Sequence, residues 1–172
     1  AEYRGEVKGL YTDPATQARW NVHYFSAAER AQHEIFLRGG KFYDVNGREI
    51  SSDFDAEALS FEDALLVIDK DFHMYMHRGE ERGRLHHSSL VAGGDVVFAG
   101  TIAVMDGRVR HISDSSGHYK PEPWRTRRIV RMLRERGVDL SQMRLSGRAA
   151  TAYGGSVSLT AAQVQKLILE NP

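Results

Sequence analysis

The sequence predicts an α+β fold: a hairpin-rich, antiparallel split sheet with short N-terminal helices, an arginine-rich helix after the sheet, and a short C-terminal helix. Three observations predict it. The dipeptides Gly39-Gly40, Asn46-Gly47 and Asp106-Gly107 separate short alternating apolar segments, and glycine supplies the positive φ that tight hairpin turns require. Ala64–Asp69 is a near-continuous apolar run, the mark of a central strand. Two capping boxes, Ser26-Ala-Ala-Glu29 and Thr160-Ala-Ala-Gln163, open helices toward the two ends.

The elements follow in order. Asp13-Pro14 pairs an N-cap with a first-turn proline and predicts a short helix over 14–20. The first capping box starts a helical turn that runs to about Gln32. Segments 34–38, 41–45 and 48–51 read as consecutive hairpin strands, and 52–62 as an acidic loop. After the central strand, 69–71 turns the chain into a strand over 72–77, and 78–83 is a glycine-flanked loop. Residues 85–91 read as extended. Segments 95–105 and 108–112 form a hairpin around Asp106-Gly107. A helix over 122–136 stops at Gly137, with Ile129, Val130, Met132 and Leu133 on one side and Arg127, Arg128, Arg131 and Arg134 opposite. Residues 147–158 read as loop, and the last helix carries Val164, Leu167 and Ile168 on one face.

Composition bounds the function. The 172 residues, 41% hydrophobic and 27% charged, suit a single domain over 1–172 with a real core. No apolar run approaches the ~20 residues of a spanning helix, so no membrane partner is expected. The N-terminus shows no charged-then-apolar signal region. Zero cysteines exclude disulfides, thiolate metal sites and cysteine catalysis. A formal net charge of zero conceals a polarity: residues 49–71 hold eight acidic residues and one lysine, whereas 120–148 hold nine basic and three acidic. Such asymmetry marks either a polyanion-facing surface or two complementary segments packed together. Gly-x-Gly-x-x-Gly, the Walker loop, Gly-x-Ser-x-Gly and His-Glu-x-x-His are all missing. His73 and His77 read as exposed strand residues, so no metal is expected.

Two segments concentrate chemistry-bearing groups: His86-His87-Ser88-Ser89-Leu90, and Ser115-Ser116-Gly117-His118-Tyr119-Lys120-Pro121. Each sets an imidazole beside hydroxyls on glycine-bordered backbone, where it can act as acid, base or hydroxyl partner, or simply fix a turn by a buried hydrogen bond. The two are expected to meet in one cleft. Alanine at His118 or Tyr119 is expected to leave the fold intact, and alanine at His73 or His77 to be nearly silent.

The order Tyr24-Phe25-Ser26-Ala-Ala-Glu29-Arg30, Gly40-Lys41-Phe42-Tyr43, His87-Ser88-Ser89-Leu90-Val91-Ala92-Gly93, Ala99-Gly100, Ser116-Gly117-His118-Tyr119 and Gly137-Val138-Asp139-Leu140 resembles the core of the plant IQ-motif calmodulin-binding (IQM) proteins. It also resembles a C-terminal domain of bacterial polymorphic toxins and effectors. The likeness covers about 24–144, leaving 147–172 as a C-terminal extension. The arginine-rich, lysine-poor basic set favours a bacterial source. The plant proteins bind calmodulin through a separate segment, Ile-Gln-x-x-x-Arg-Gly-x-x-x-Arg, which these residues lack, so calmodulin is not expected as a partner.

The bacterial likeness implies a secreted toxin enzyme, delivered into a target cell and acting in its cytoplasm on protein or RNA, with an acidic immunity protein as inhibitor. The first expectation is an ADP-ribosyltransferase-like enzyme. His87, with Ser88, Ser89 and Ser116, would hold NAD; Tyr119 would stack on nicotinamide; Glu122, or instead Glu135 or Glu170, would stabilise transfer. The second is a metal-independent ribonuclease with His87 and His118 as base and acid, and Lys120 and the arginines over 125–131 on phosphate. The third is a non-enzymatic protein-binding module.

Overall fold

A computed structural model describes residues 23–51, 54–55, 60–61, 64–78, 87–116, 119, 121–153 and 158–170. In chain order the elements are α1 (Ala27–Gln32), β1 (Glu34–Arg38), β2 (Lys41–Tyr43), β3 (Phe54–Asp55), β4 (Ser60–Phe61), β5 (Ala64–Asp69), β6 (Met74–His77) and α2 (His87–Leu90). There follow β7 (Val96–Met105), β8 (Arg108–Ser113), α3 (Pro123–Glu135), a 3-10 turn (Leu140–Gln142), β9 (Arg144–Ser146), α4 (Arg148–Ala152), β10 (Ser158–Leu159) and α5 (Ala161–Glu170).

Eight strands form one sheet in the order β10-β9-β8-β7-β5-β6-β1-β2, while β3 and β4 pair separately. Neighbours are antiparallel except β8 and β9, which run parallel because α3 carries the chain across between them. Strand β5 sits in the middle, as its apolar run requires, with five of its six residues buried. Beyond β2 the chain bends back to the β7–β8 turn. The Phe42 N–H donates to the Gly107 carbonyl and the Gly107 N–H to that of Ile50, each at 2.8 Å, which curls the sheet.

Each face of the sheet has its own core. Leu66, Ile68, Met74, Phe98, Ile102 and Ile112 lie in one cluster with Ile129, Val130 and Leu133 of α3, Ala149 of α4 and Val164 and Ile168 of α5. Leu65, Val67, Tyr75 and Ala99 lie in the other with Phe25, Leu90, Val91 and Tyr119. The period-two alternation along β5 divides its side chains between the two. At Gly100 the strands approach so closely that a Cβ would overlap the Ser113 carbonyl. Both capping boxes form: Ser26 Oγ accepts from the Glu29 N–H at 3.2 Å, and Thr160 Oγ1 from the Gln163 N–H at 3.3 Å. Helix α3 ends at Gly137 (φ +90°), where the Val138 N–H returns to the Leu133 carbonyl at 3.0 Å.

Several expectations change. Residues 87–90, expected to be extended, form α2; a four-residue helix is too short to show a 3.6 period. The expected loop over 147–158 contains α4 and the start of β10, and β9 precedes it. The strand expected from Phe72 begins at Met74, because Phe72 belongs to the turn. The helix expected over 14–20 lies outside the described residues.

Candidate functional site

The two histidine-bearing segments do meet, through a chain of hydrogen bonds. His87 Nε2 lies 2.7 Å from the Gly100 carbonyl, an acceptor, so this nitrogen carries the proton. Nδ1 is then bare and accepts from the Ser116 hydroxyl at 3.2 Å. That hydroxyl accepts in turn from the Tyr119 N–H at 3.2 Å, and the Tyr119 phenol donates to the Gly94 carbonyl at 2.8 Å. His87 is 4% exposed and Tyr119 is fully buried at 0%. The arrangement fastens Ser116 and Tyr119 to α2 and to the start of β7, with both His87 nitrogens engaged inside the protein.

This geometry places the other candidates too. Ser89 is buried beside His87, and the Phe25 N–H bonds its carbonyl at 2.9 Å. Ser88 lies in α2, its side chain outside the described residues, as are His86, His118 and Lys120. Glu122 is exposed at the N-cap of α3 and makes no side-chain cap bond, and Glu135 is exposed at that helix's end. Glu170 ends α5, its side chain outside the described residues. Tyr119 is no surface turn residue: its ring is fully buried and fills a core. The expectation that its alanine variant folds normally is therefore corrected.

Sequence reasoning missed Asp114. Buried to 1% exposure, its carboxylate accepts from the Arg148 N–H at 2.6 Å, the Ala149 N–H at 2.9 Å and the Thr126 hydroxyl at 3.0 Å. It caps α4 and ties that helix to α3 and β8. Gly147 (φ +92°) admits it, since a Cβ there would overlap the carboxylate.

A ring cluster went unnoticed as well. Phe25 stacks on His33 with centroids 4.8 Å apart, and His77 lies 5.1 Å from His33. His77 is thus half-buried against rings, not an exposed strand residue, whereas His73 is exposed and hydrogen-bonds Glu34 at 2.7 Å. Among the described residues no three histidine or carboxylate groups converge to hold a metal ion. Burial, seconded by the charge of His77, holds the His33 imidazole below its ordinary range. The Glu34 hydrogen bond holds His73 above it.

The signs are opposite. A lowered histidine gives stability that is full above the unfolded value, about 6.5, and is lost as pH falls below it; a raised one gives stability lost as pH rises through its folded value. Comparing His33→Gln with the parent isolates the first effect. Between pH 7.5 and 5.5 the parent is expected to lose more of its urea midpoint than the variant, and equal losses would count against a pressed-down His33.

The arginine helix presents a different kind of site. Ile129, Val130 and Leu133 are buried under α3, and Met132 is half-buried. Arg127, Arg128, Arg131 and Arg136, with Glu135, line a groove of about 500 Å³ shared with Trp124, Met132 and Phe72 of the β5–β6 turn. Arg134 lines a separate hollow with Val138 and Leu169. Trp124 is 47% exposed, with the Arg125 guanidinium 4.7 Å from its ring centre. Arg127 lies 5.8 Å over Tyr153. Sequence reasoning found these arginines but not the two exposed aromatics; the signal was a tryptophan opening a basic helix and a phenylalanine at a turn position usually held by glycine.

Residues 29–125 match the family described as the IQ motif-containing protein middle domain. IQ domain-containing protein IQM2 of Arabidopsis thaliana is 30% identical over 125 residues, covering 73% of this chain and 20% of the relative. IQM3 of the same plant is 28% identical over 123 residues, covering 71% and 26%, and IQM5 is 26% identical over 125, covering 73% and 24%. The chain thus spans about a fifth to a quarter of the length of these relatives. No solved structure matches.

These findings overturn several expectations. The relatives are named as IQ domain proteins of a plant, so the secreted or delivered toxin, its target-cell substrate and its immunity protein are all withdrawn. The ADP-ribosyltransferase reading goes with them, and so does the ribonuclease toxin. The dismissal of calmodulin is also corrected, because it judged the family from a portion that spans a fifth to a quarter of its relatives.

Proposed function

Because this chain belongs to the IQ motif-containing protein middle-domain family, we propose that it is a non-catalytic protein-binding module whose binding face is the arginine side of α3. Calmodulin is the partner an IQ domain implies for the family. The Ile-Gln-x-x-x-Arg-Gly-x-x-x-Arg pattern does not occur within these 172 residues, so the face proposed here is a different one. The observation that most supports the reading is the state of His87. The best acid–base candidate in the sequence spends one nitrogen on Gly100 and the other on Ser116. A general base needs a nitrogen within reach of substrate, and neither is available for that. The arginine face has the opposite character: its side chains are exposed or half-buried, and α3 holds them on a rigid element.

Crosslinking in cells that express the tagged chain tests the proposal, together with incubation of the purified chain with labelled NAD and with bulk RNA. Arg128 and Arg136 are both exposed and line the groove, so reversing their charges leaves the core untouched. The wild-type chain is expected to retain protein partners that the Arg128→Glu, Arg136→Glu variant loses, with neither NAD nor RNA turned over. Turnover of either by the wild type, or an unchanged partner set in the folded variant, overturns the reading.

A further inference from the structure

We propose that the groove between α3 and the β5–β6 turn docks an acidic segment of a partner protein that carries an apolar anchor, with Phe72 and Trp124 gripping that anchor. The inference rests on the binding-module reading and names the occupant of its surface.

The first argument is Phe72 itself. Its φ of +64° is left-handed, a region that favours glycine and asparagine and that a bulky side chain occupies only under constraint. The constraint is visible. Asp69 accepts on one carboxylate oxygen from the Asp71 N–H at 2.9 Å and the His73 N–H at 3.0 Å, while its carbonyl accepts from the Phe72 N–H at 3.1 Å. Glycine would close this turn without strain. The phenylalanine ring is 40% exposed, so core packing does not account for it either. An aromatic held in an unfavourable conformation and left open to solvent is what a rigid anchor site requires.

The second argument is charge. Four arginines and one glutamate line the groove beside Phe72, Trp124 and Met132. Among the described residues no ion pair is seen for Arg127, Arg128 or Arg136. Like charges crowded on one helical stripe repel each other until an anion lies opposite. From Arg128 to Arg136 the helix rises about 12 Å, the reach of three or four extended residues. A nucleic acid fits less well. The whole chain is neutral, with a pI near 7.3, where nucleic-acid binders carry a strong basic excess. Asp69 and Asp71 also belong to the turn that bears Phe72, against a continuous phosphate backbone. A peptide can place its carboxylates over α3 alone.

Fluorescence polarisation with the full chain tests the proposal. The probes are a short labelled peptide of glutamates around a Phe-Leu pair, the same peptide with alanine at that pair, and a labelled uridine oligomer. The first peptide is expected to bind, with affinity falling as salt rises. Replacing its anchor by alanine, or Phe72→Gly in the protein, is expected to weaken binding about tenfold, while Phe72→Gly holds or raises the urea midpoint. Arg128→Glu, on an exposed helix face, should weaken it comparably and serves if the turn variant folds poorly. Three results would overturn the idea: a folded Phe72→Gly that binds like the wild type, tighter binding of the uridine oligomer, or no binding of the acidic peptide. Each leaves the binding-module reading to be judged by partner loss and by turnover of NAD or RNA.

Discussion

Tyr119→Ala is expected to cost about 3–5 kcal/mol, enough to unfold much of a domain whose total stability is of order 5–15 kcal/mol. The ring is fully buried in the cluster of Phe25, Leu65, Val67, Leu90 and Val91, so truncation leaves a cavity that the curled sheet cannot close. It also removes the phenol that satisfies the Gly94 carbonyl. Tyr119→Phe keeps the ring and loses that one bond, so it should cost only about 1 kcal/mol. Urea unfolding of both variants checks the pair. An alanine variant with the parent's midpoint would return Tyr119 to a surface turn.

Asp114→Ala is the second severe substitution, at about 3 kcal/mol or more. One carboxylate serves two N–H groups at the start of α4 and the Thr126 hydroxyl in the first turn of α3, and all three donors are stranded by alanine. Asp114→Asn keeps one accepting oxygen but turns an amide N–H₂ toward a donor, so it should fall between the two. Thr126→Val removes a single partner and is expected to cost about 1 kcal/mol. Hydrogen exchange locates the damage: the Arg148 and Ala149 amides should lose protection first in Asp114→Ala. If they stay protected, α4 is held by packing alone.

Both predictions fall on residues whose roles the sequence conceals, and the reason is physical. Period and turn chemistry are local, so β5, the capping boxes and the Asp106-Gly107 hairpin could be read directly from neighbouring residues. Helix α2 and strand β9 span only four and three residues, too few to show a period, and the β8–β9 pairing depends on α3 carrying the chain across. Burial is not local either. Ser116, Tyr119 and His87 were legible as a group because small polar residues beside an imidazole on permissive backbone invite hydrogen bonding. Nothing in the segment reveals that the Tyr119 ring is buried against Phe25, Leu65, Val67, Leu90 and Val91. Asp114 looks like one more acidic residue after a strand until α4 is brought to it from 34 positions away. Phe72 was read as the first residue of a strand; its left-handed backbone is imposed by the carboxylate of Asp69 three residues earlier.

The central claim is that His87 is a fastening inside a binding module and not a group that handles substrate. Its ring tautomer measures this most directly. In a ¹⁵N-resolved NMR spectrum at neutral pH the account predicts a single tautomer, with the proton on Nε2 held by the Gly100 carbonyl and exchanging slowly with water, and a bare Nδ1 accepting from Ser116. A proton on Nδ1, two tautomers in rapid average, or an Nε2 proton that exchanges at the rate of an open ring would place His87 in contact with solvent and contradict the account.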